Sequence, residues 1–249
     1  MSNIPKNHPR YESLMTRKRI SDAMNKGFVH ETGLIAHGRG EAFDYLLGEK
    51  TNRFAYEAEK VAAAALLYAK KPVISVNGNV VALSASECIS LAKSIPADIE
   101  VNLFHRTNKR MNLLIKELKR LGANEVLGRI GNAHIPGLDH DRGLCDSNGI
   151  FSADVVLVTL EDGDRCQALK KIGKTIIAID LNPLSRTAKS ANITIVDNVI
   201  RAIPKIEKWV INLKKYDKSS FNNIVKSWDN DKMLKNTLNF ISQRLDDAI

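Results

Sequence analysis

Residues 175–198 read TIIAIDLNPLSRTAKSANITIVDN, and the architecture follows from this one segment. An apolar run rich in β-branched residues ends in Asp180. Pro183 then opens a short helix holding or just preceding Arg186, Thr187 and Lys189, and a second apolar run ends in Asp197 and Asn198. Working outward, the same kind of run recurs in PVISVNGN (72–79), IEVNLF (99–104) and ADVVLVTLEDGD (153–164), with helix-like segments at 86–94, 108–121 and 164–172 between runs. Such alternation indicates a parallel sheet with helices on its faces. Both ends of the chain read as helical. Tyr11, Leu14, Met15, Ile20 and Met24 form an apolar stripe before a capping Gly27, FAYEAEKVAAAALLYAKK stops at Pro72, and helix resumes from Pro204, with Leu234, Leu238, Ile241 and Leu245 at helical spacing. The expectation is an α/β fold: a Rossmann-like, mostly parallel sheet with flanking helices and helical N- and C-terminal segments. No linker is evident, so residues 1–249 read as a single α/β domain, with a mainly helical part at 1–70, a Rossmann-like core at 71–200 and a helical part at 201–249.

Ligands of parallel α/β sheets sit beyond the carboxyl ends of the strands. The polar residues there are Asn77 to Asn79, Glu161 to Arg165, Asp180 to Asn182, and Asp197 with Asn198. In the segment quoted first, Asp180 suits a ribose hydroxyl, Arg186 and Thr187 near a helix start suit phosphate, and the Asn198 amide suits a base edge. That combination is what a nucleotide needs. A second stretch, GLIAHGRGEAFDYLLGEKT (33–51), places Arg39 between two glycines, as a loop approaching an anion would. It is not a dinucleotide fingerprint, since Phe43 stands where the third glycine belongs, and a nicotinamide-dependent oxidoreductase is a minor alternative. Gly173-Lys174-Thr175 is not a P-loop either: Ala168 replaces the first glycine, and a helix leads in where a strand should.

The acidic turn LEDGDRC (160–166) gathers Glu161, Asp162 and Asp164 beside Arg165. Such acids suit Mg²⁺ through water or an ammonium group, and Asp162 or Asp164 also suits a helix N-cap. HIPGLDHDRGLCD (134–146) carries ligand-type side chains without the spacing of a metal site, so no protein-held metal is expected. No covalent-nucleophile signature occurs, and any chemistry would rest on positioned substrates and electrostatics.

Composition bounds the partners. The net charge is +9, from 37 Lys and Arg against 28 Asp and Glu, which points to anionic partners. The basic residues are dispersed and aromatic residues make up only 6%, so a basic nucleic-acid-binding protein is the alternative rather than the first reading. No run of about 20 apolar residues spans a membrane and the first residues are polar, so a cytoplasmic location is expected. Three scattered cysteines, Cys88, Cys145 and Cys166, imply reduced thiols.

These motifs also carry a resemblance. IPKNHPRYESL (4–14), TGLIAHGRGEAFDYL (32–46), ISVNGN (74–79), PGLDHDRG (136–143), ADVVLVTLEDGDR (153–165) and IDLNPLSRTA with ITIVDN (179–198) occur in this order. Together they resemble the archaeal phosphopantothenate synthetase family, the 4-phosphopantoate–β-alanine ligases, over nearly the whole chain. The resemblance implies a homodimer in coenzyme A biosynthesis that joins 4-phosphopantoate to β-alanine with cleavage of ATP, aided by Mg²⁺. It places ATP contacts on Arg17, Arg39, Asp180, Leu181, Asn182, Arg186, Thr187, Asn198 and Val199. Arg39 would serve the triphosphate, its flanking glycines letting backbone and guanidinium both reach it. His37, Glu161, Asp162 and Asp164 are the candidates for proton acceptor, and Asn77, Asn79, His105 and Arg142 for the remaining substrate contacts. Thr32, Asn7, Lys18, Asp139 and Asp141 depart from the family's expected residues without removing a nucleotide contact.

Overall fold

The computed structural model describes residues 4–160 and 162–247. In chain order the elements are α1 (Tyr11–Asn25), α2 (Glu31–Leu47), α3 (Arg53–Tyr68), β1 (Pro72–Val76), α4 (Gly78–Ser94), β2 (Asp98–Val101), α5 (Asn108–Arg120), β3 (Ala133–His134), β4 (Leu144–Cys145), β5 (Val155–Thr159), α6 (Gly163–Lys171), β6 (Thr175–Ile179), α7 (Arg186–Ser190), β7 (Ile193–Ile195), α8 (Val199–Leu213), α9 (Lys218–Lys226) and α10 (Asn230–Asp246). Five strands form one parallel sheet in the order β2-β1-β5-β6-β7. Counted along the chain, this is the doubly wound order 2-1-3-4-5, whose switch point lies between β1 and β5. The expected sheet and helical ends are present.

Apart from Asp98 and Glu100 of β2 and Ser75 of β1, the strands are built mainly of apolar and β-branched residues because both faces are covered. Ile74, Val155, Leu157, Ile177 and Ile195 point into one core with α3, α4, α5 and α8. Their neighbours Val73, Val156, Val158, Ile176 and Ala178 point into the other, against α6 and the segment around the antiparallel pair β3–β4. On α3 the alanines 62–65 are buried, and these small side chains let the helix lie close to β7 and α8. Met233, Leu234, Thr237 and Ile241 form the buried stripe of α10, while Leu245, expected to continue it, is exposed.

Three local readings are corrected. The helix expected from residue 86 begins at Gly78, because the Asn77 side chain caps Val80, and it bends at Ser84 (φ −147°, ψ 30°). The helix expected from Pro204 begins at Val199, capped by Asn198. Pro204 lies inside it, so the Ile200 carbonyl loses its i+4 donor. Gly38-Arg39-Gly40 is not a loop but the middle of α2, which is capped by His30 and stopped by Gly48 at φ 87°. The short β3–β4 pair had no expectation. Among the described residues no helix is long and apolar enough to cross a membrane, and the three cysteines are buried free thiols.

Gly78 shows how tightly the end of β1 is built. A β-carbon there would lie 2.1 Å from the Phe28 carbonyl oxygen, a backbone atom that cannot swing away. Gly78→Ala is therefore expected to cost about 1–3 kcal/mol, the range for overpacking, seen as a lower denaturant midpoint at unchanged slope.

Candidate functional site

One face of α2 is turned toward the carboxyl ends of the strands. Gly33, His37, Gly40 and Asp44 recur at helical spacing along it. Asn79 Nδ2 donates to the Gly33 carbonyl (2.9 Å), Gly40 packs against Leu181, and Asn198 Nδ2 donates to Asp44 Oδ2 (2.9 Å). Between these ties lies a narrow cleft with only about 20 Å³ of water-accessible volume. Its walls include His37 and Glu41 of α2, Leu83 of α4, and Leu160, Leu181, Asp197 and Asn198 just after strands β5, β6 and β7. Leu160 adopts φ +50°, a left-handed conformation that leucine rarely takes and that tends to occur at functional sites.

The polar residues after the strands are first of all structural. Asn77 Nδ2 donates to the Thr159 (3.0 Å) and Leu160 (3.3 Å) carbonyls, strapping β1 to β5 at the switch point. Asp162 caps α6, Ser185 caps α7 and Asn198 caps α8. Both ends of the Asn198 amide are thus engaged, by the helix it caps and by Asp44. Asp180 Oδ1 accepts from the Asn182 N–H (2.9 Å) and Oδ2 from the Ser185 hydroxyl, while Asn182 Oδ1 accepts from the Leu184 N–H. These contacts pre-form the loop from Asp180 to Arg186. Burial pushes the Asp180 carboxyl up, against the Ser185 and Asn182 bonds and the nearby charge of Arg39.

The arginines differ in what they are free to do. Arg39 is exposed on the flank of α2, with no hydrogen-bond or ion-pair partner among the described residues, and its charge acts on Asp180. Arg17 Nε instead sits 2.8 Å from both Glu41 oxygens, and Arg186 pairs with Asp164 at 2.8 Å. Glu41 also accepts from the Ser13 hydroxyl. Burial opposes its charge, yet Arg17 and Ser13 hold its carboxyl below the usual range. Burial, with Arg17 adding and Glu41 and Asp44 opposing, lowers the His37 pKa, so the imidazole is neutral at pH 7. Its Nε2 is buried and has no hydrogen-bond partner among the described residues.

The other expected residues lie toward β1 and β2. His105 stacks on His30 with ring centroids 3.8 Å apart, and Phe104 lies 5.4 Å from His140, whose Nε2 is 4.0 Å from Asp162. Arg142 is buried, with Nη1 donating to the Asn102 carbonyl (3.3 Å). Thr187 is buried, Val199 lines the cleft, and Glu161 falls outside the described residues. The sequence reading missed Glu41 and Asp44, although the spacing of Gly33, His37, Gly40 and Asp44 on one helix face was available to find them.

Asp44 anchors α2 to α8: Arg201 Nη2 lies 2.5 Å from Asp44 Oδ1 and also 2.5 Å from Asp197 Oδ1. Asp44→Ala should cost about 3 kcal/mol in urea unfolding, the low end for breaking a buried pair, because Asp197 still holds Arg201.

The phosphopantothenate/pantothenate synthetase family model matches residues 54–244. The chain is 51% identical over 246 residues to the 4-phosphopantoate–β-alanine ligase of Thermococcus kodakarensis, covering 98% of this chain and 94% of that one. It is 50% identical to the enzymes of the same name from Methanosarcina mazei (98% and 96% covered) and Methanospirillum hungatei (97% and 98%). Helices α1 and α2, with Arg17, His37 and Arg39, precede the matched family span, so their likeness rests on these full-length relatives.

Proposed function

The chain belongs to the phosphopantothenate/pantothenate synthetase family, and from that premise we propose that it is an ATP-dependent ligase condensing 4-phosphopantoate with β-alanine to 4′-phosphopantothenate, with release of AMP and diphosphate, in coenzyme A biosynthesis. The observation that carries the reading to particular residues is the cleft between α2 and the ends of β5–β7. There His37 lines the cleft, its Nε2 without a hydrogen-bond partner among the described residues, and the charge of Arg39, which has no partner among them either, acts on the pre-formed loop at Asp180.

ATP lies with its nucleoside against Asp180, Leu181, Asn182, Arg186, Thr187, Asn198 and Val199, and with its triphosphate toward Arg39 and Arg17. Because Arg17 is paired with Glu41, it joins the triphosphate only by exchanging that partner. Phosphopantoate lies toward Asn77, Asn79, His105 and Arg142. Mg²⁺ is proposed to arrive with ATP, held by the substrate's phosphates and water. Family membership turns the basic net charge to phosphorylated small molecules rather than nucleic acid. The protein is further proposed to work as a cytosolic homodimer.

The chemistry has two steps. A pantoate carboxylate oxygen attacks the α-phosphorus and the diphosphate leaves with the electron pair of the broken P–O bond. Arg39 offsets the charge that develops there, and positioning of the two substrates supplies much of the rate. The β-alanine nitrogen then attacks the activated carbonyl carbon, AMP leaves, and the proton from nitrogen passes to His37 Nε2. Of the candidate acceptors, Asp164 is committed to Arg186 and Asp162 to its helix cap. His37 alone among the described candidates lines the cleft, and its buried Nε2 has no hydrogen-bond partner among the described residues.

The test is a leave-one-out assay with ATP, phosphopantoate and β-alanine. Steady AMP release should require all three. AMP that forms regardless of β-alanine, or ADP in its place, would refute the reading.

A further inference from the structure

Glu59 of α3 is fully buried, and neither of its oxygens has a donor among the described residues. It faces the carboxylate of Asp197, just beyond β7. Asp197 is crowded with donors. Oδ1 accepts from Arg201 Nε (2.8 Å), Arg201 Nη2 (2.5 Å) and the Asn198 N–H (2.7 Å). Oδ2 accepts from the Thr51 hydroxyl, whose oxygen in turn accepts from Lys205 Nζ. Both Asp197 oxygens are therefore engaged by donors, with the Arg201 guanidinium directly on Oδ1. Glu59, given none, is the member of the pair that keeps a proton, because two facing carboxylates in a dry core would repel. Burial first, and Asp197 next, push the Glu59 carboxyl up to about 8, against the charges of Lys205 and Arg201. The polar groups around the pair are Thr51 before α3, Asp197 after β7, and Arg201 and Lys205 on α8, with Asp44 of α2 joined through Arg201.

Neither chemical step proposed above uses Glu59, which does not line the cleft, whereas Asp197, Asn198 and Val199 do. We propose that Glu59 is a positioning residue for the nucleotide: as a neutral acid it donates its proton to Asp197 and fixes the turn from which Asn198 and Val199 face ATP. This rests on the nucleotide reading of the cleft.

The test is calorimetric titration of Mg·ATP, without the other substrates, into wild type and Glu59→Gln between about pH 6.5 and 9.5, a range chosen to bracket the Glu59 titration. Wild-type affinity should hold near neutrality and weaken about tenfold as Glu59 loses its proton above pH 8. Glutamine keeps an N–H donor and cannot ionise, so the variant should match wild type at pH 7 and stay level. Folding stability follows the same sign. The proton is held in the folded chain to about pH 8 but lost near 4.5 when unfolded, so this stability is full below 4.5 and lost as pH rises toward 8. Glu59→Gln should lack that loss. A wild-type affinity that does not change with pH, or a variant that weakens in parallel, would overturn the proposal. So would a glutamine variant that does not fold, since glutamine imitates the neutral acid. Wild type that binds no ATP at any pH overturns both this and the nucleotide reading. ATP binding without β-alanine-dependent AMP strikes only the ligase reading.

Discussion

Arg39→Ala is expected to lower kcat/KM for ATP about a hundredfold, close to 2.7 kcal/mol of transition-state stabilisation, while leaving the fold intact. Arg39 is solvent-exposed in the middle of α2 and is tied to no carboxylate among the described residues, so its removal breaks no structural contact there. Between two glycines, alanine favours the helix at least as well as arginine does. The loss therefore falls on the phosphates of ATP. Arg39→Lys should recover part of it, since a point charge replaces the fork that grips phosphate oxygens in pairs. Arg17→Ala should cost less, because Arg17 must first give up Glu41. Steady-state kinetics in ATP and an unfolding curve for each variant check this. Near-normal kinetics for Arg39→Ala would remove Arg39 from the site.

The second large effect is expected at His37. His37→Gln should reduce amide formation by about 10²–10³-fold while sparing the first step, read as phosphopantoate-dependent exchange of labelled diphosphate into ATP. Both reactions falling together would make His37 a binding or packing residue instead. The pH dependence follows from the direction of its shift. Burial lowers the His37 pKa below its ordinary 6.5, so wild-type activity should hold at neutral pH and fall only on the acid side of that value. Stability has the same sense: the unfolded chain takes up this proton near 6.5 and the folded chain resists, so stability is lost as pH falls below 6.5. Glutamine at 37 abolishes both dependences.

What the sequence made legible was mostly what periodicity encodes. Four of the five strands announce themselves as apolar, β-branched runs, β2 being interrupted by Glu100, and TIIAID…ITIVDN lies in the sheet as adjacent parallel strands β6 and β7. Helix starts were harder. The β-branched Val80 and Val81 hid the first turns of α4, and Pro204 disguised a helix already begun at Val199. The Gly-Arg-Gly stretch misled for a related reason. Glycine signals a loop when read locally, but Gly33 and Gly40 are spaced seven apart on a helix face that must lie close to Asn79 and Leu181. The backbone around Arg39 is consequently spent on helical bonds, and its guanidinium has no partner among the described residues.

The candidate site was legible as a set of positions and not as a set of roles. Asn77, Asp162, Ser185 and Asn198 stand where ligands gather, and they stand there partly because each caps the helix that leaves the sheet. A residue after a strand thus has two reasons to be polar, and spacing does not separate them. Nor does spacing pair residues that are distant in sequence. Asp44 with Arg201 and Glu59 with Asp197 meet only because α2, α3 and α8 converge on the end of β7.

The central claim is that this cleft activates a carboxylate by joining it to the α-phosphate of ATP. The most direct measurement supplies phosphopantoate labelled with ¹⁸O in its carboxylate, together with ATP and β-alanine, and examines the AMP by mass spectrometry. One labelled oxygen carried into the phosphate of AMP is the predicted result. AMP without label, or ADP with labelled inorganic phosphate, would contradict it.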